Sequence, residues 1–323
     1  MILSRFFLSL MVITQLAASI TTVPAQWSKV RKDPDPLLGI GGMALLEQRE
    51  ATISFIVVHD NRLGGPRAGI LTVVEGKQPD HLELSWPKYK DPEDKAKASR
   101  DPAYKEEAKL PSDLEAITLV PGPPLPTKTF ICVESTGNAF HISVDPESKA
   151  LRVLKEFKLP APAANIEAFA LHLIDGKLLA MWADRGWGKQ PATLFWRRFD
   201  LATYEFVGGV KEKAVTVDYP ENTCVRHISD LKVDSGGKVY ISAARDCDTN
   251  DDGPFESAAY YIGSFKPGKD QFEFNLLPDK DRLELLKSQL QKIEALELVP
   301  GPKAGFIFGS DDENHGSSIY FKW

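Results

Sequence analysis

Short apolar runs separated by turn residues follow one another along most of the chain, and they recur in the same order. Three runs carry a glutamate at the same place: "SDLEAI" at 112–117, "ANIEAF" at 164–169 and "QKIEAL" at 291–296. Two weaker copies, "GIGGMALL" and "RHISDLKV", share the register but carry Gly41 and Ser229 instead of the acid. Five positions after the apolar residue that opens each copy, the residue is always apolar: Leu45, Leu119, Leu171, Val233 and Leu298.

Each copy then continues in the same way. A turn rich in Gly or Pro leads to a second run that is typical of a strand: "SFIVVHD", "TFICVES", "LLAMWAD", "VYISAAR" and "GFIFGSD". A third run follows in every copy and a fourth in most, and successive copies start 74, 52, 62 and 65 residues apart. Four antiparallel strands that recur at such intervals are typical of a β-propeller. We therefore predict an all-β propeller of five blades, with a sixth blade inside the long first interval as the alternative.

The ends and interruptions of the repeat give further predictions. The last copy reaches Trp323 after three strands, which would leave a bare sheet edge. We predict that "QWSKVRK", from Gln26, supplies the missing strand and closes the ring. Residues 88–109 are rich in charged side chains and are predicted to form a solvated insertion. Residues 281–290, "DRLELLKSQL", have the spacing of a short connecting helix.

The first 25 residues have the pattern of a signal peptide. Arg5 provides a positive charge, residues 6–20 are largely apolar, and residues 23–25 are small enough for a cleavage site. The apolar stretch is short for a membrane span, and no other run approaches twenty apolar residues. We predict a signal peptide at 1–25, one propeller domain at 26–323, no membrane span after cleavage, and a secreted or periplasmic protein. An uncleaved anchor is the alternative.

The net charge limits the classes of molecule that the protein is expected to bind. The formal net charge of −6 argues against nucleic-acid binding, which needs a basic surface, and leaves a small-molecule or anionic substrate open. No feature indicates the oligomeric state.

Export permits disulfides. Cys224 and Cys247 flank two antiparallel strands at adjoining ends, so we predict a disulfide bond between them. Cys132, inside an apolar run, is predicted to be a buried thiol.

The repeated acids are expected to meet at one end of the central channel. The innermost strand of a blade starts on the face of the disc where the second strand ends, because the two are antiparallel. Glu115, Glu167 and Glu294 would gather there as metal ligands or catalytic carboxylates. The second-strand ends would add supporting acids and substrate-binding side chains: Asp60, Asp184 and Asp311, with Arg185, Arg245, His59 and His227.

Converging carboxylates repel one another, so a cation or raised pKa values must compensate. Calcium suits a site made of oxygen ligands and is the predicted cofactor. The alternative is structural: each glutamate would cap its own strand or pair with a neighbouring arginine.

A second candidate calcium site lies in "DTNDDG". Its spaced oxygens, Asp248, Asn250 and Asp252, match the first half of a calcium-binding loop. The position where such a loop carries a bidentate glutamate holds Ala259 instead. A solvated acidic turn is the alternative.

Motifs of several common hydrolase classes are missing. The chain has no G-x-S-x-G elbow, no G-x-x-x-x-G-K-[ST] phosphate loop and no H-E-x-x-H, and its six histidines lack zinc-site spacing. Catalysis would therefore be attack by water, assisted by a metal ion or a carboxylate.

The segments "SDLEAITLVPG" and "TFICVESTGNAFHISV", with "QKIEALELVPG" and "GFIFGSDDENHGSSIYF", resemble exported propellers of the phytase-like and esterase-like group, which is related to calcium-dependent lactonase-type propellers. Those propellers open innermost strands with an acid–small–apolar tag, often E-G-[IL]; here alanine replaces the glycine in all three acid tags. The resemblance implies a calcium-assisted hydrolase of phosphoesters or esters, with Arg185 or Arg245 holding an anionic substrate. A non-catalytic propeller that binds a protein or glycan at the same face is the alternative, and a purely structural scaffold is a third reading.

Overall fold

The computed structural model describes residues 26–88, 109–122, 127–145, 147–160, 165–221, 223–247, 251–268, 272–301 and 305–321. Within these ranges the chain is built from antiparallel strands, with short 3₁₀ turns such as Pro36–Leu38. The predicted signal peptide, residues 89–108 of the predicted insertion, and Asp248 and Asn250 lie outside the described residues.

The strands form five antiparallel sheets, so the prediction of a five-bladed propeller is confirmed. Blade 1 contains β2 (Gly42–Arg49), β3 (Thr52–Val58), β4 (Ala68–Val74) and β5 (Asp80–Leu84). Blade 2 contains β6 (Leu114–Leu119), β7 (Thr129–Glu134), β8 (Asn138–Val144) and β9 (Leu151–Lys158). Blade 3 contains β10 (Ile166–Ile174), β11 (Lys177–Asp184), β12 (Ala192–Asp200) and β13 (Glu205–Val215).

The remaining two blades depart from four consecutive strands. Blade 4 contains β14 (Val225–Val233), β15 (Lys238–Arg245), β16 (Glu256–Pro267), β17 (Phe272–Leu276) and an extra strand, β18 (Leu283–Ser288). Blade 5 contains β19 (Ile293–Val299), β20 (Gly305–Ser310), β21 (Ser318–Phe321) and the N-terminal strand β1 (Gln26–Lys29).

The N-terminal strand closes the ring, as predicted. β1 pairs antiparallel with β21, with Gln26 opposite Phe321 and Lys29 opposite Ser318. The Trp27 ring packs against Tyr320 at 5.4 Å between centroids. This pairing covers the edge that blade 5 would otherwise expose.

The helix predicted over residues 281–290 is wrong, because residues 283–288 form the strand β18. β16 is long enough to need two partners along one edge: its end pairs with β17, and its beginning, from Ser257 to Tyr261, pairs with β18. Backbone hydrogen bonds to this edge override the good helix propensity of the Leu, Glu and Lys residues.

The five innermost strands surround one axis. β2 contacts β6, β6 contacts β10, β10 contacts β14, β14 contacts β19, and β19 contacts β2. Small buried residues permit this approach: Ala116, Ala168 and Ala295 are fully buried, and a Cβ on Gly42 would lie 3.0 Å from the Cα of Ala116. Alanine in the repeated tag therefore fits the crowded axis.

Apolar cores fill the spaces between blades. Among the described residues, each of the five buried clusters joins two neighbouring blades. The cluster between blades 2 and 3, for example, stacks Trp182 and Phe195 against Ala116 and Ile131. No blade buries both its faces alone, so the stability of each sheet depends on its neighbours.

The predicted disulfide between Cys224 and Cys247 is confirmed, with 4.9 Å between the Cα atoms. It joins the residue before β14 to the segment after β15. Cys132 is buried with a free thiol, as predicted. Disulfides are typical of proteins that fold in oxidising compartments. No helix among the described residues has the length and apolarity needed to span a membrane.

Crowding at the axis predicts the effect of adding a side chain there. We expect Gly42→Val to lower the free energy of unfolding by about 1–3 kcal/mol, because the new methyl groups meet the backbone of β6. The matched control is Gly209→Val in β13, where a Cβ meets nothing within 4 Å. Urea unfolding of both variants measures the difference, and equal losses would contradict the close packing of the innermost strands.

Candidate functional site

A β-bulge places each repeated glutamate. In blade 3, Ile166 lies opposite Asp184 and Ala168 lies opposite Ala183, so Glu167 is an extra residue without a cross-strand partner. The same register shift occurs at Glu115 in blade 2 and at Glu294 in blade 5. A bulge re-aims a side chain and is common beside functional sites. We call the end of the channel formed by these three glutamates the mouth.

The mouth gathers buried carboxyl groups from several blades. Glu115, Glu167 and Glu294 are 7%, 2% and 3% exposed. Burial raises the pKa of Glu115 well above its ordinary value, and the charges of Glu167, Asp60 and Glu294 raise it further. The predicted convergence of the three glutamates is therefore present in the structure.

Two cations contact Glu294. Arg226 Nη1 donates to Glu294 Oε1 at 2.9 Å, and Lys292 Nζ lies 3.4 Å from the same oxygen. Both cations also contact Asp246, at 2.7 Å from Arg226 Nη2 and 3.2 Å from Lys292 Nζ. Burial raises the pKa of Glu294 to about 8 against the opposing effect of Lys292 and Arg226.

Lys292 is the buried cation at the mouth that the sequence interpretation missed. Its side chain is 1% exposed and also contacts Glu313 and, at 3.9 Å, Asp311. Lys292 directly precedes the apolar residue that opens its copy, and polar residues fill this position in three other copies: Asp113, Asn165 and His227. That recurring polar position was the available signal.

Glu167 has its own cation. Arg185 Nη1 donates to Glu167 Oε1 at 3.1 Å, and Asn165 Nδ2 donates to the same oxygen at 2.8 Å. The Arg185 guanidinium lies over the Trp187 ring at 5.4 Å. The structural alternative for Glu167 and Glu294, pairing with arginine, is therefore present in the geometry.

Glu115 and Asp60 differ from the other mouth acids. Within the described residues, neither carboxyl group has a hydrogen-bond or ion-pair partner. The pKa of Asp60 is raised to about 6, first by burial and then by the charge of Glu294. The charge of Asp60 raises the pKa of Glu115, and both acids interact electrostatically with the Arg62 guanidinium, which donates to Asp113 at 2.8 Å.

The other two second-strand aspartates contact backbone amides. Asp184 accepts from Asn165 N at 3.2 Å and from Gly186 N at 3.0 Å. Asp311 accepts from Glu313 N at 3.0 Å, and burial raises its pKa to about 7. Asp311 therefore joins the group of charged side chains around Lys292, which we call the Lys292 cluster: Arg226, Asp246, Glu294, Asp311 and Glu313.

The remaining predicted substrate-binding side chains have protein partners. Arg245 donates to Pro254 O at 2.8 Å and pairs with Glu256 at 3.3 Å. His59 is fully buried, where Nδ1 donates to Gly39 O at 2.6 Å and Nε2 lies 3.1 Å from His81. His227 donates from Nε2 to Gly188 O at 2.8 Å and accepts at Nδ1 from Val217 N. Their roles in substrate binding stay predictions.

The two predicted calcium sites stay predictions. No group of three or more His, Cys, Asp or Glu side chains in the described part of the chain is arranged to hold a metal ion. At the mouth, Arg185, Arg226 and Lys292 already contact two of the three glutamates. In the acidic loop, Asp252 Oδ1 accepts from Asn314 at 3.1 Å.

No protein-family model matches the chain, and no curated protein matches it. Solved structures match in fold. An exo-1,5-alpha-L-arabinanase from a bovine ruminal metagenomic library has a TM-score of 0.51 and 11% identity, covering 92% of this chain and 95% of that chain. A GH43 endo-arabinanase from Bacillus licheniformis has a TM-score of 0.47 and 10% identity, covering 90% and 96%. The catalytic domain of the Coprinopsis cinerea GH62 alpha-L-arabinofuranosidase has a TM-score of 0.47 and 10% identity, covering 92% and 97%.

At these identities the likeness establishes the propeller fold and nothing finer. The likeness to the exo-1,5-alpha-L-arabinanase, at a TM-score of 0.51 and 11% identity, is a likeness of fold. The more specific resemblance to phytase-like, esterase-like or lactonase-type propellers, which rested on short tags, is not supported. The acid–small–apolar tag follows from the bulge and the crowded axis, so it indicates architecture rather than that group.

The Lys292 cluster predicts a pH-dependent loss of stability. We expect Lys292→Met to lower the free energy of unfolding by about 3–5 kcal/mol at pH 8, because buried Asp311 loses its cation and Glu294 loses one of its two. The loss should be smaller at pH 5, where Asp311 and Glu294, with pKa values of about 7 and 8, are protonated. An acid whose pKa is higher in the folded than in the unfolded protein stabilises the folded state most at pH values below its unfolded pKa. This stabilisation is lost as the pH rises through the folded pKa.

Urea unfolding at the two pH values measures this effect. The matched control is Lys177→Met, which removes an exposed lysine and should change the free energy of unfolding by less than about 0.5 kcal/mol. An equal loss for Lys292→Met at pH 5 and pH 8 would contradict the assignment of Lys292 as the counter-ion of these acids.

Proposed function

We propose that the protein is a hydrolase that cleaves glycosidic bonds at the mouth, with Glu115 and Asp60 as the acid–base pair. One observation carries the proposal: these two carboxyl groups have no hydrogen-bond or ion-pair partner within the described residues, whereas Glu167 and Glu294 are held by cations. Two carboxyl groups flanking the bond are the usual chemical requirement of glycoside hydrolysis.

Glu115 has the properties of the proton donor. Its raised pKa keeps a proton on a carboxyl group that is 7% exposed and has no competing partner. A general acid must hold its proton at the working pH and release it to the leaving oxygen. In this step Glu115 protonates the glycosidic oxygen as its bond to the anomeric carbon breaks.

Asp60 is assigned as the base. Its pKa of about 6 lets it be ionised at neutral pH while it remains basic enough to accept a proton from water. The water oxygen forms the new bond to the anomeric carbon and its proton passes to Asp60. The Glu167–Arg185 pair lies near enough to influence Glu115, and its carboxylate would stabilise positive charge that develops on the sugar ring.

The charge of the mouth favours an uncharged substrate. Arg185, Arg226 and Lys292 are each engaged by carboxylates of the protein, so a phosphate group would have to compete with them. An anionic substrate would also approach several buried acids of like charge, which disfavours binding. A neutral sugar avoids both costs, and a glycoside therefore fits this mouth better than the phosphoester or other anionic substrate expected from the sequence.

The shared fold is compatible with this proposal and does not carry it. The arabinanase with a TM-score of 0.51 shows that a propeller of similar shape can serve a sugar hydrolase. The substrate is therefore proposed as a class, glycosides of neutral sugars, with arabinosides included in the test.

Activity toward synthetic glycosides tests the proposal. Wild-type protein is assayed on a panel of aryl glycosides and on arabino-oligosaccharides, with calcium and with EDTA. Glu115→Gln should lose about 10²- to 10⁴-fold in kcat/KM on oligosaccharides, whose leaving group needs a proton. The loss should be much smaller on dinitrophenyl glycosides, whose leaving group needs none.

Glu205→Gln, which changes an exposed glutamate of β13, is the matched control and should keep wild-type activity. Sugar binding without turnover would instead favour the non-catalytic binding propeller. Activity that requires calcium would support the calcium prediction and contradict an acid–base mechanism carried by side chains alone. An equal loss on both leaving groups would remove Glu115 as the proton donor.

A further inference from the structure

A cavity lies at the end of the channel opposite the mouth. Its volume is about 570 Å³, within the range of small-molecule sites. All five innermost strands line it with residues from their middle or later positions, whereas the mouth lies at their beginnings. The five repeated apolar positions of the sequence form its wall: Leu45, Leu119, Leu171, Val233 and Leu298.

Buried polar groups inside this cavity lack partners. Thr118 and His172 line it and are 5% and 9% exposed. Within the described residues, neither side chain makes a hydrogen bond. Solvent reaches the polar atoms of both side chains from the cavity, so these atoms can hydrogen-bond a molecule that enters it.

The charged groups around the cavity already have partners. Lys232 Nζ donates to Ile117 O and to Asp230 at 3.2 Å each. Glu297 accepts from the backbone amides of Leu45 and Leu298. Burial lowers the pKa of His172, which leaves its ring neutral near pH 7. The cavity therefore offers neutral hydrogen-bonding groups rather than a free charge.

A buried ion pair separates this cavity from the mouth. Asp230 and Lys232 are 0% and 4% exposed. Asp230 accepts from Leu296 N of β19 at 2.8 Å, and Lys232 reaches the backbone of β6, so the pair bridges three blades across the channel. A molecule in the cavity would thus bind independently of one at the mouth.

We propose that this cavity is a second ligand-binding site. Its ligand would be an uncharged molecule with an apolar ring system and one hydroxyl or carbonyl group. The leucine and valine ring would contact the apolar body, and Thr118 and His172 would exchange hydrogen bonds with the polar group. Phe306 and Tyr240 extend the apolar wall.

Two fluorescent probes test this site. 2-Naphthol carries the hydroxyl group and naphthalene lacks it, and equilibrium dialysis measures both. Thr118→Val and His172→Leu should each weaken 2-naphthol binding by about three- to tenfold, the effect of one neutral hydrogen bond, and leave naphthalene binding unchanged. Both variants keep side-chain size close to wild type.

Filling the cavity should remove binding of both probes. The cavity-filling variants are Leu298→Trp and Leu171→Phe, and their probe binding is compared with wild type when their circular dichroism spectra match it. The matched control is Glu115→Gln, at the opposite mouth, which should retain binding of both probes. The proposal is overturned if wild type binds neither probe, if the filled variants still bind, or if Thr118→Val and His172→Leu weaken both probes equally.

Discussion

The close approach of five innermost strands around one axis is the constraint on which the other features depend. Only small residues fit where these strands meet, and Gly42 and Ala116 show how little space remains. At the start of three strands a bulge interrupts the ladder, and the extra residue is the glutamate of the repeat. Architecture therefore explains the repeated acid–alanine pair: the alanine packs at the axis, and the bulged acid stands at the mouth.

Several acids meet at one buried mouth, where their negative charges repel one another. Basic side chains of the protein pair with some of these acids and not with others. Arg185 pairs with Glu167, and Arg226 with Lys292 holds Glu294. Glu115 receives no such cation among the described residues, and burial raises its pKa. Burial also raises the pKa of Glu294 to about 8 despite its two cations, whereas the pKa of Asp60 is raised to about 6. Neighbouring carboxyl groups with different pKa values are what the proposed acid–base hydrolysis requires. The same channel ends, on its other side, in a cavity with no free charge.

The sequence predicted the fold well because a propeller repeats its signals. The blade number, the closing strand from Gln26 and the Cys224–Cys247 bond follow from strand order and antiparallel geometry, and the structure has all three. Two features of the structure were not predicted from the sequence. Residues 283–288 form a strand because a long neighbouring edge needs a partner, which propensity does not reveal. Lys292 was missed because lysine at a strand start is usually solvated, whereas here it is buried in contact with Asp246, Glu294 and Glu313.

The central claim is that Glu115 is a buried acid with a raised pKa and no ion-pair partner among the described residues, and its titration tests this most directly. Protein labelled with ¹³C at glutamate carboxyl carbons would be followed by NMR from acid to alkaline pH, with Glu115→Gln identifying the signal. The account predicts that Glu115 titrates well above its ordinary value of 4.5. A midpoint at or below 4.5 would contradict it, because an ionised Glu115 could not donate the proton that the proposed cleavage needs.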